Sequence, residues 1–231
     1  MINILYITIC KIYNYVFSTY EYFFLKNKNI SNLDEYFLLN IKKEINLELK
    51  SNKKIIINEN LQKYILNEDD IDYLIKEIFI QNDLKKIISE ITGFNYFLGY
   101  VIAYKTKKIS DQNIQKDLFA NKWHKDKPYS ANLIKIIIPL QNIGKNSGGI
   151  QIKKKDDTIY KMQCNSKTIL VFFPNKNFHK AGNPEKDRDQ IMIQLVPSKK
   201  WSYNKNLIND QLKIEPKFPN FAYLFRKKIL F

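Results

Sequence analysis

The chain holds only two histidines, His124 and His179, in 231 residues, and His124 stands two positions before a carboxylate, Asp126, in the stretch NKWHKDKPYS. Residues two apart on an extended backbone project to the same face, so this imidazole and carboxylate can ligate one ion together. His179 lies 55 residues further on, just after the apolar run KTILVFFP, and supplies a third donor. Two imidazoles and one carboxylate form a facial donor set that suits non-haem Fe(II) and leaves coordination positions open for a co-substrate and O₂. An HxD pair alone recurs by chance, and a lone histidine is more often a packing or surface residue than a ligand. Here both histidines fall at the edges of strand-like segments in one region. A chain so poor in histidine keeps the residue where replacement is not tolerated.

Arg188 follows His179 by nine positions and leads into the run DQIMIQLVP. Only Arg188 and Arg226 are arginines in a chain with 38 Lys and Arg residues, so the choice of a guanidinium at 188 is informative. Its planar fork can grip a carboxylate through two parallel hydrogen bonds, which an ammonium cannot reproduce. A surface ion pair with Asp187 or Glu185 is the alternative, plausible for the residue in isolation and poor beside the three donors.

These groups need a rigid frame. From residue 94 the texture is FNYFLGYVIAYK, NLIKIIIPL, GGIQIKK, TIYKMQC, KTILVFFP and DQIMIQLVP, short β-branched and aromatic runs separated by Gly, Asn, Lys and Pro clusters. Such a series reads as successive strands of a sandwich or jelly roll rather than as βαβ units. The first ninety residues read as helical. SNLDEYFLLNIKKEI can start at Ser31 or Asn32, with Leu33, Phe37, Leu38 and Ile41 at helical spacing. NEDDIDYLIKEIFIQNDLKKIISEITG has Asn67 as a cap, acidic residues at 68–70, a stripe of Ile71, Leu74, Ile75, Ile78 and Phe79, and Gly93 as its end. Between them KKIIINENLQKYI reads as a short strand and turn. The expected architecture is α+β with a mainly β core in one domain: a helical part over 1–93, the core over 94–198 and an extension over 199–231.

Composition narrows the function classes. Apolar residues at 45% and charged residues at 26% describe an ordinary globular chain. The net charge of +15 raises nucleic acid or an anionic surface as partners. The charge is almost all lysine, however, and is spread along a chain rich in Ile, Asn and Lys, as AT-rich codon usage produces. It reads as solvated surface, and no specific nucleic acid is expected. Cys10 and Cys164 give neither a disulfide framework nor a zinc knuckle and fit a reducing cytoplasm. The opening MINILYITICKIYNYVFSTYEYFF lacks a basic leader and a cleavage site, and Lys11 interrupts it. It reads as an amphipathic helix packed on the core rather than as a membrane span.

Taken together, WHKD, IPLQNIGKNSGGIQI and FHKAGNPEKDRDQIMIQLVP resemble the Fe(II)- and 2-oxoglutarate-dependent oxygenases, most nearly the phytanoyl-CoA dioxygenase-type branch, over residues 96 to 198. The resemblance implies a double-stranded β-helix, a cupin-like relative of the jelly roll, with N-terminal helices buttressing one sheet. It implies His124, Asp126 and His179 as iron ligands and Arg188 as the anchor of the distal carboxylate of 2-oxoglutarate. The His-to-Arg interval of nine is slightly short of the usual one, so a tight turn must join the two strands. The retained carboxylate favours hydroxylation, since related halogenases lack it. Tyr104 and Lys135, on strands flanking HxD, are further candidates for contact with 2-oxoglutarate, against packing and surface roles respectively. Trp123 can shield the metal or fill the core. Gly148 and Gly149 permit a tight turn, and Asn183 can hold the loop after His179 with a side-chain bond. Lys125 and Lys127 beside the ligands are compatible with an anionic small-molecule substrate, although codon usage accounts for them almost as well. Two other classes stay open at this point: a non-catalytic jelly-roll binding protein, and a basic nucleic-acid-associated module.

Overall fold

The run IKIIIP shows no alternation of apolar and polar residues because it forms a strand covered on both faces. The computed structural model describes residues 5, 8–9, 12, 22–25, 55–58, 60–64, 66, 68–76, 84–108, 120–126, 132–154, 156–165, 168–198 and 200–203. Among these are eleven strands and two helices: β1 Tyr22–Leu25, β2 Ile55–Asn58, β3 Leu61–Tyr64, α1 Glu68–Leu74, α2 Leu84–Thr92, β4 Asn95–Thr106, β5 Ile134–Pro139, β6 Gln151–Lys153, β7 Ile159–Lys161, β8 Ile169–Phe172, β9 His179–Lys180, β10 Arg188–Ser198 and β11 Ser202–Tyr203.

The large sheet runs β1-β8-β5-β10-β4-β3-β2, with every neighbour antiparallel, and the short β11 adds parallel to β4. A small antiparallel sheet, β7-β6-β9, is extended by a bridge between His124 and His179. From β4 onward the chain passes back and forth between the sheets. It visits the large one at β4, β5, β8 and β10, and the small one at the HxD segment, β6–β7 and β9. The result is a jelly-roll-like arrangement of mainly antiparallel strands.

Two cores explain the central strand. On one face of the large sheet, Ile134, Ile136 and Ile138 join Ile191 and Ile193 of β10 in a cluster that also takes in Ile71 and Leu74 of α1 and Leu84 and Ile88 of α2. On the other face, Ile137, Leu170 and Phe172 meet Ile152 and Met162 from the small-sheet side. Each such side chain contributes roughly 1.5–3 kcal/mol by leaving water. Strand β4 changes faces part-way. Its register with β10 slips by one residue, Tyr100 facing Gln194 and Leu98 facing Leu195, so Gly99 is the extra residue of a bulge. Tyr96 and Leu98 therefore enter the helix-covered core, while Tyr100 and Ile102 point to the opposite face.

Strands β4 to β8 and β10 stand where the sequence places them, and the segment read as one short strand and turn holds two paired strands, β2 and β3. Gly93 ends α2 with a positive φ of 75°, and its N–H donates to Ser89 O at 2.8 Å. Ile71, Leu74 and Ile75 of the expected stripe are buried. Ile78, Phe79 and the Asn67 cap lie outside the described residues, as do the helix expected over 31–45, Lys127 and the chain from 204. Tyr22–Leu25 departs from expectation. The end of the anticipated N-terminal helix is a strand, because YFFL pairs in full register with the edge of β8, from Tyr22 against Phe172 to Leu25 against Ile169. Leu5 and Ile12 are helical but exposed at 58% and 59%, so these two side chains do not pack on the core as expected. Among the described residues no helix is long and apolar enough to cross a membrane.

The turn before β6 sets the loop after His179. Gly148 has a φ of 68°, and a Cβ there would lie 2.5 Å from Pro184 N and 2.7 Å from Gly182 O. Backbone bonds tie the two segments, Gly182 N–H to Gly149 O and Glu185 N–H to Asn146 O. Gly148→Ala combines left-handed strain with overpacking and lowers stability by about 2–4 kcal/mol, to be read as a shift in urea midpoint. An unshifted midpoint contradicts this packing.

Candidate metal centre and cavity

The HxD segment is not a regular strand. It is held against the His179 segment by a short ladder: His124 N–H to His179 O at 3.1 Å, His179 N–H to His124 O at 2.9 Å, Asp126 N–H to Pro174 O at 3.0 Å and Ala181 N–H to Ala120 O at 2.7 Å. His124 and His179 are thus direct cross-strand partners, and their rings lie 4.4 Å apart between centroids. On the reverse of this ladder two cation–π pairs brace it. Lys180 sits 5.0 Å from the Trp123 ring, and Lys125 sits 4.8 Å from the exposed Phe178 ring. Trp123 therefore backs the ligand segment and does not line the cavity in front of it.

The three donors converge. Asp126 Oδ1 lies 3.7 Å from His124 Nε2 and 3.6 Å from His179 Nε2, and all the donor atoms fall within 4.8 Å of one another. Each ring is oriented by its other nitrogen: His124 Nδ1 meets Lys122 O at 2.8 Å and His179 Nδ1 meets Asn177 O at 3.1 Å. A neutral imidazole that donates Nδ1–H to a carbonyl leaves Nε2 with its lone pair, and both lone pairs face Asp126. Burial pulls the His179 imidazole down to about 4, against an opposing pull from Asp126, so this ring is neutral at pH 7 and fit to ligate. Burial by itself would raise the Asp126 carboxyl, but Lys135 and then His179 more than offset it, and the group sits below the usual carboxylate range.

Lys135 is where its strand position predicts, facing the cavity, yet its ammonium pairs with Asp126 Oδ2. It orients the carboxylate and leaves Oδ1 directed at the two rings. Along β10 it stands level with Gln194, six residues from Arg188, at the triad end of the sheet.

Arg188 opens β10 opposite Thr106 and is only 1% exposed. Its Nη2 donates to Thr106 Oγ1 at 3.2 Å, while Nε and Nη1 have no protein partner. It makes no ion pair with Asp187 or Glu185 among the described residues; Asp187 Oδ1 instead accepts from the Lys108 N–H. A buried guanidinium with two idle donors is costly unless an anion completes it. Tyr104 stands two residues from Thr106 on the same face, and its hydroxyl accepts from Gln190 Nε2. Burial raises its pKa, an effect Arg188 and Gln190 oppose.

One cavity of about 630 Å³ joins these groups, with His124, Asp126, His179, Lys135, Tyr104 and Arg188 all on its wall. Gly182 and the exposed Asn183 form part of its rim; Asn183 makes no side-chain bond among the described residues. Sequence reasoning named Tyr104 but missed Tyr100, Thr106, Gln190 and Lys63, which also line it. Period-two alternation from Tyr104 along β4 carries the signal for Tyr100 and Thr106, and the same step from Arg188 reaches Gln190. Cys164 is a half-buried free thiol that burial pushes up to about 11, so it is no nucleophile here.

No protein-family model matches the sequence, and no curated protein matches it. Solved structures do share the fold. The epimerase SnoN, in complex with Fe3+, alpha ketoglutarate and nogalamycin RO, aligns with a TM-score of 0.58 at 10% identity over 82% of this chain and 84% of its own. HygX from Streptomyces hygroscopicus, with nickel and 2-oxoglutarate bound, aligns at 0.54 and 10% identity over 80% and 86%. An oxidoreductase of the 2OG-Fe(II) oxygenase family from Burkholderia pseudomallei aligns at 0.55 and 9% identity over 81% and 89%. The fold is that of iron- and 2-oxoglutarate-dependent enzymes.

Proposed function

We propose that this chain is an Fe(II)- and 2-oxoglutarate-dependent dioxygenase that hydroxylates a C–H bond of a small molecule, built as one double-stranded β-helix domain buttressed by helices. The observation that carries the reading is the pairing of two incomplete sites in one cavity. Three donor groups converge at one end, and a buried guanidinium with unpartnered Nε and Nη1 waits on the same wall.

His124 Nε2, Asp126 Oδ1 and His179 Nε2 would hold the metal; their donor chemistry, nitrogen and hard oxygen on one face, fits Fe(II). When bound, the iron supplies the redox chemistry by which 2-oxoglutarate, O₂ and R–H become succinate, CO₂ and R–OH. The protein's own contribution is placement. Lys122 O and Asn177 O fix the two rings, and Lys135 holds the second oxygen of Asp126, so the ligand set is preorganised. Arg188 and Thr106 bind the far carboxylate of 2-oxoglutarate, with Tyr104 beside them. Apolar Ile102, Ile137 and Met192 exclude water from the space between. The binding of nogalamycin RO by SnoN and of hygromycin B by HygX supports a small-molecule substrate for this cavity.

The test is conversion of 2-oxoglutarate to succinate in air. The expected result is succinate formation that depends on added Fe(II) and stops with a chelator, slow without substrate and faster when a compound pool supplies one. Folded protein that takes up neither Fe(II) nor 2-oxoglutarate and forms no succinate points instead to a binding protein that has kept the fold.

A further inference from the structure

The cavity wall carries more positive charge than the metal and co-substrate account for. Lys63, Lys122, Lys135 and Arg188 line it against one carboxylate, Asp126, among the described residues. Lys135 is paired with that carboxylate, and Arg188 is committed to 2-oxoglutarate under the function proposed above, on which this inference rests. Lys63 is left. It projects from β3 level with Tyr104, is half-buried, and makes no ion pair among the described residues. Its Nζ donates to Tyr100 Oη at 3.3 Å.

That bond defines what the pair can take. Tyr100 is 5% exposed and already accepts from Lys63, so its own phenolic proton is free to donate into the cavity. Lys63 keeps further N–H donors. The pair presents donors only, on a wall otherwise apolar at Leu61, Ile102 and Met192. Burial, and then repulsion from Lys135, lower the Lys63 pKa, and burial pushes Tyr100 up to about 12, so the phenol stays protonated. A cation held at such cost gains most from an anion. Lys125, by contrast, is exposed and turned to Phe178 rather than into the cavity.

We propose that Lys63 and Tyr100 form a second anion-binding element of this cavity, which seats a phosphate or carboxylate group of the substrate while Arg188 holds the co-substrate. The substrate class is then a small organic oxyanion with an apolar body, and Lys63 is a substrate-binding residue.

The probes are phenyl phosphate and benzoate, with phenol as the neutral control, titrated calorimetrically into protein loaded with Mn(II) and 2-oxoglutarate and, separately, into metal-free protein. At least one of the two anions binds the unaltered protein, and phenol binds at least tenfold more weakly. Lys63→Met, which keeps the unbranched apolar stem as far as Cε and removes the ammonium, lowers that anion's affinity at least tenfold, a fall far larger than any change in 2-oxoglutarate affinity; Lys63→Arg retains binding. Circular dichroism checks that both variants fold. The proposal is overturned if neither anion binds, if phenol matches them, or if Lys63→Met leaves anion affinity unchanged. It is also overturned if 2-oxoglutarate affinity falls in step, which would assign Lys63 to the co-substrate. Failure of the parent reading has a different signature: no uptake of Mn(II) and 2-oxoglutarate, with the metal-free titration still deciding the role of Lys63.

Discussion

His124→Ala is expected to abolish Fe(II) binding, and with it the proposed 2-oxoglutarate turnover, while the protein stays folded. The imidazole supplies one of three convergent donors, and with a facial set of three there is no spare ligand; affinity falls by about a hundredfold or more. The side chain is 36% exposed and lies outside both apolar clusters, so the stability change is about 1 kcal/mol or less. Asp126→Ala loses the metal equally but is not equally silent in the fold. It strands the Lys135 ammonium, only 14% exposed, without its partner, at a cost of about 1–3 kcal/mol. Metal titration and urea melts on the two variants therefore separate: both lose iron, and Asp126→Ala has the lower midpoint of the two. Retained iron in either variant contradicts the ligand assignment.

The second large effect belongs to Arg188. Arg188→Lys keeps the charge and loses the fork, and a shorter, compact ammonium cannot both reach Thr106 and offer two donors to a carboxylate. The 2-oxoglutarate dissociation constant rises about a hundredfold, whereas Fe(II) affinity changes little because the triad stands at the other end of the cavity wall. Calorimetric titration of each ligand in turn checks this. Wild-type affinity for 2-oxoglutarate in the lysine variant contradicts the placement of the distal carboxylate on Arg188.

The site was more legible in the sequence than its frame. His124, His179 and Arg188 stand out by type, because the chain uses histidine and arginine so sparingly, and Asp126 by its place two residues after His124; the structure brings all four to one cavity. Strands β4 to β8 and β10 announce themselves by β-branched runs and turn clusters. Tyr22–Leu25 reads as helix because an apolar aromatic run has no intrinsic period; only its partner β8 decides it. Strand β9 has two residues, too few for any pattern, and is made by its neighbours. The face change at Gly99 is also invisible locally, since a bulge depends on register with β10. Lys63 carries no signal because lysine is everywhere in this sequence; its meaning comes from the cavity it faces. Resemblance to the phytanoyl-CoA dioxygenase-type branch in particular rests on motif alone, whereas the wider likeness is carried by the fold.

The central claim, that one cavity holds iron and 2-oxoglutarate together, is tested most directly by an anaerobic titration of the metal-free protein with Fe(II) in the presence of 2-oxoglutarate, followed by visible absorption. A weak metal-to-ligand band that grows to saturation at about one Fe(II) per chain, and is absent in His124→Ala, is the result expected from the facial donor set. Folded protein that develops no such band, or develops the same band in His124→Ala, contradicts it.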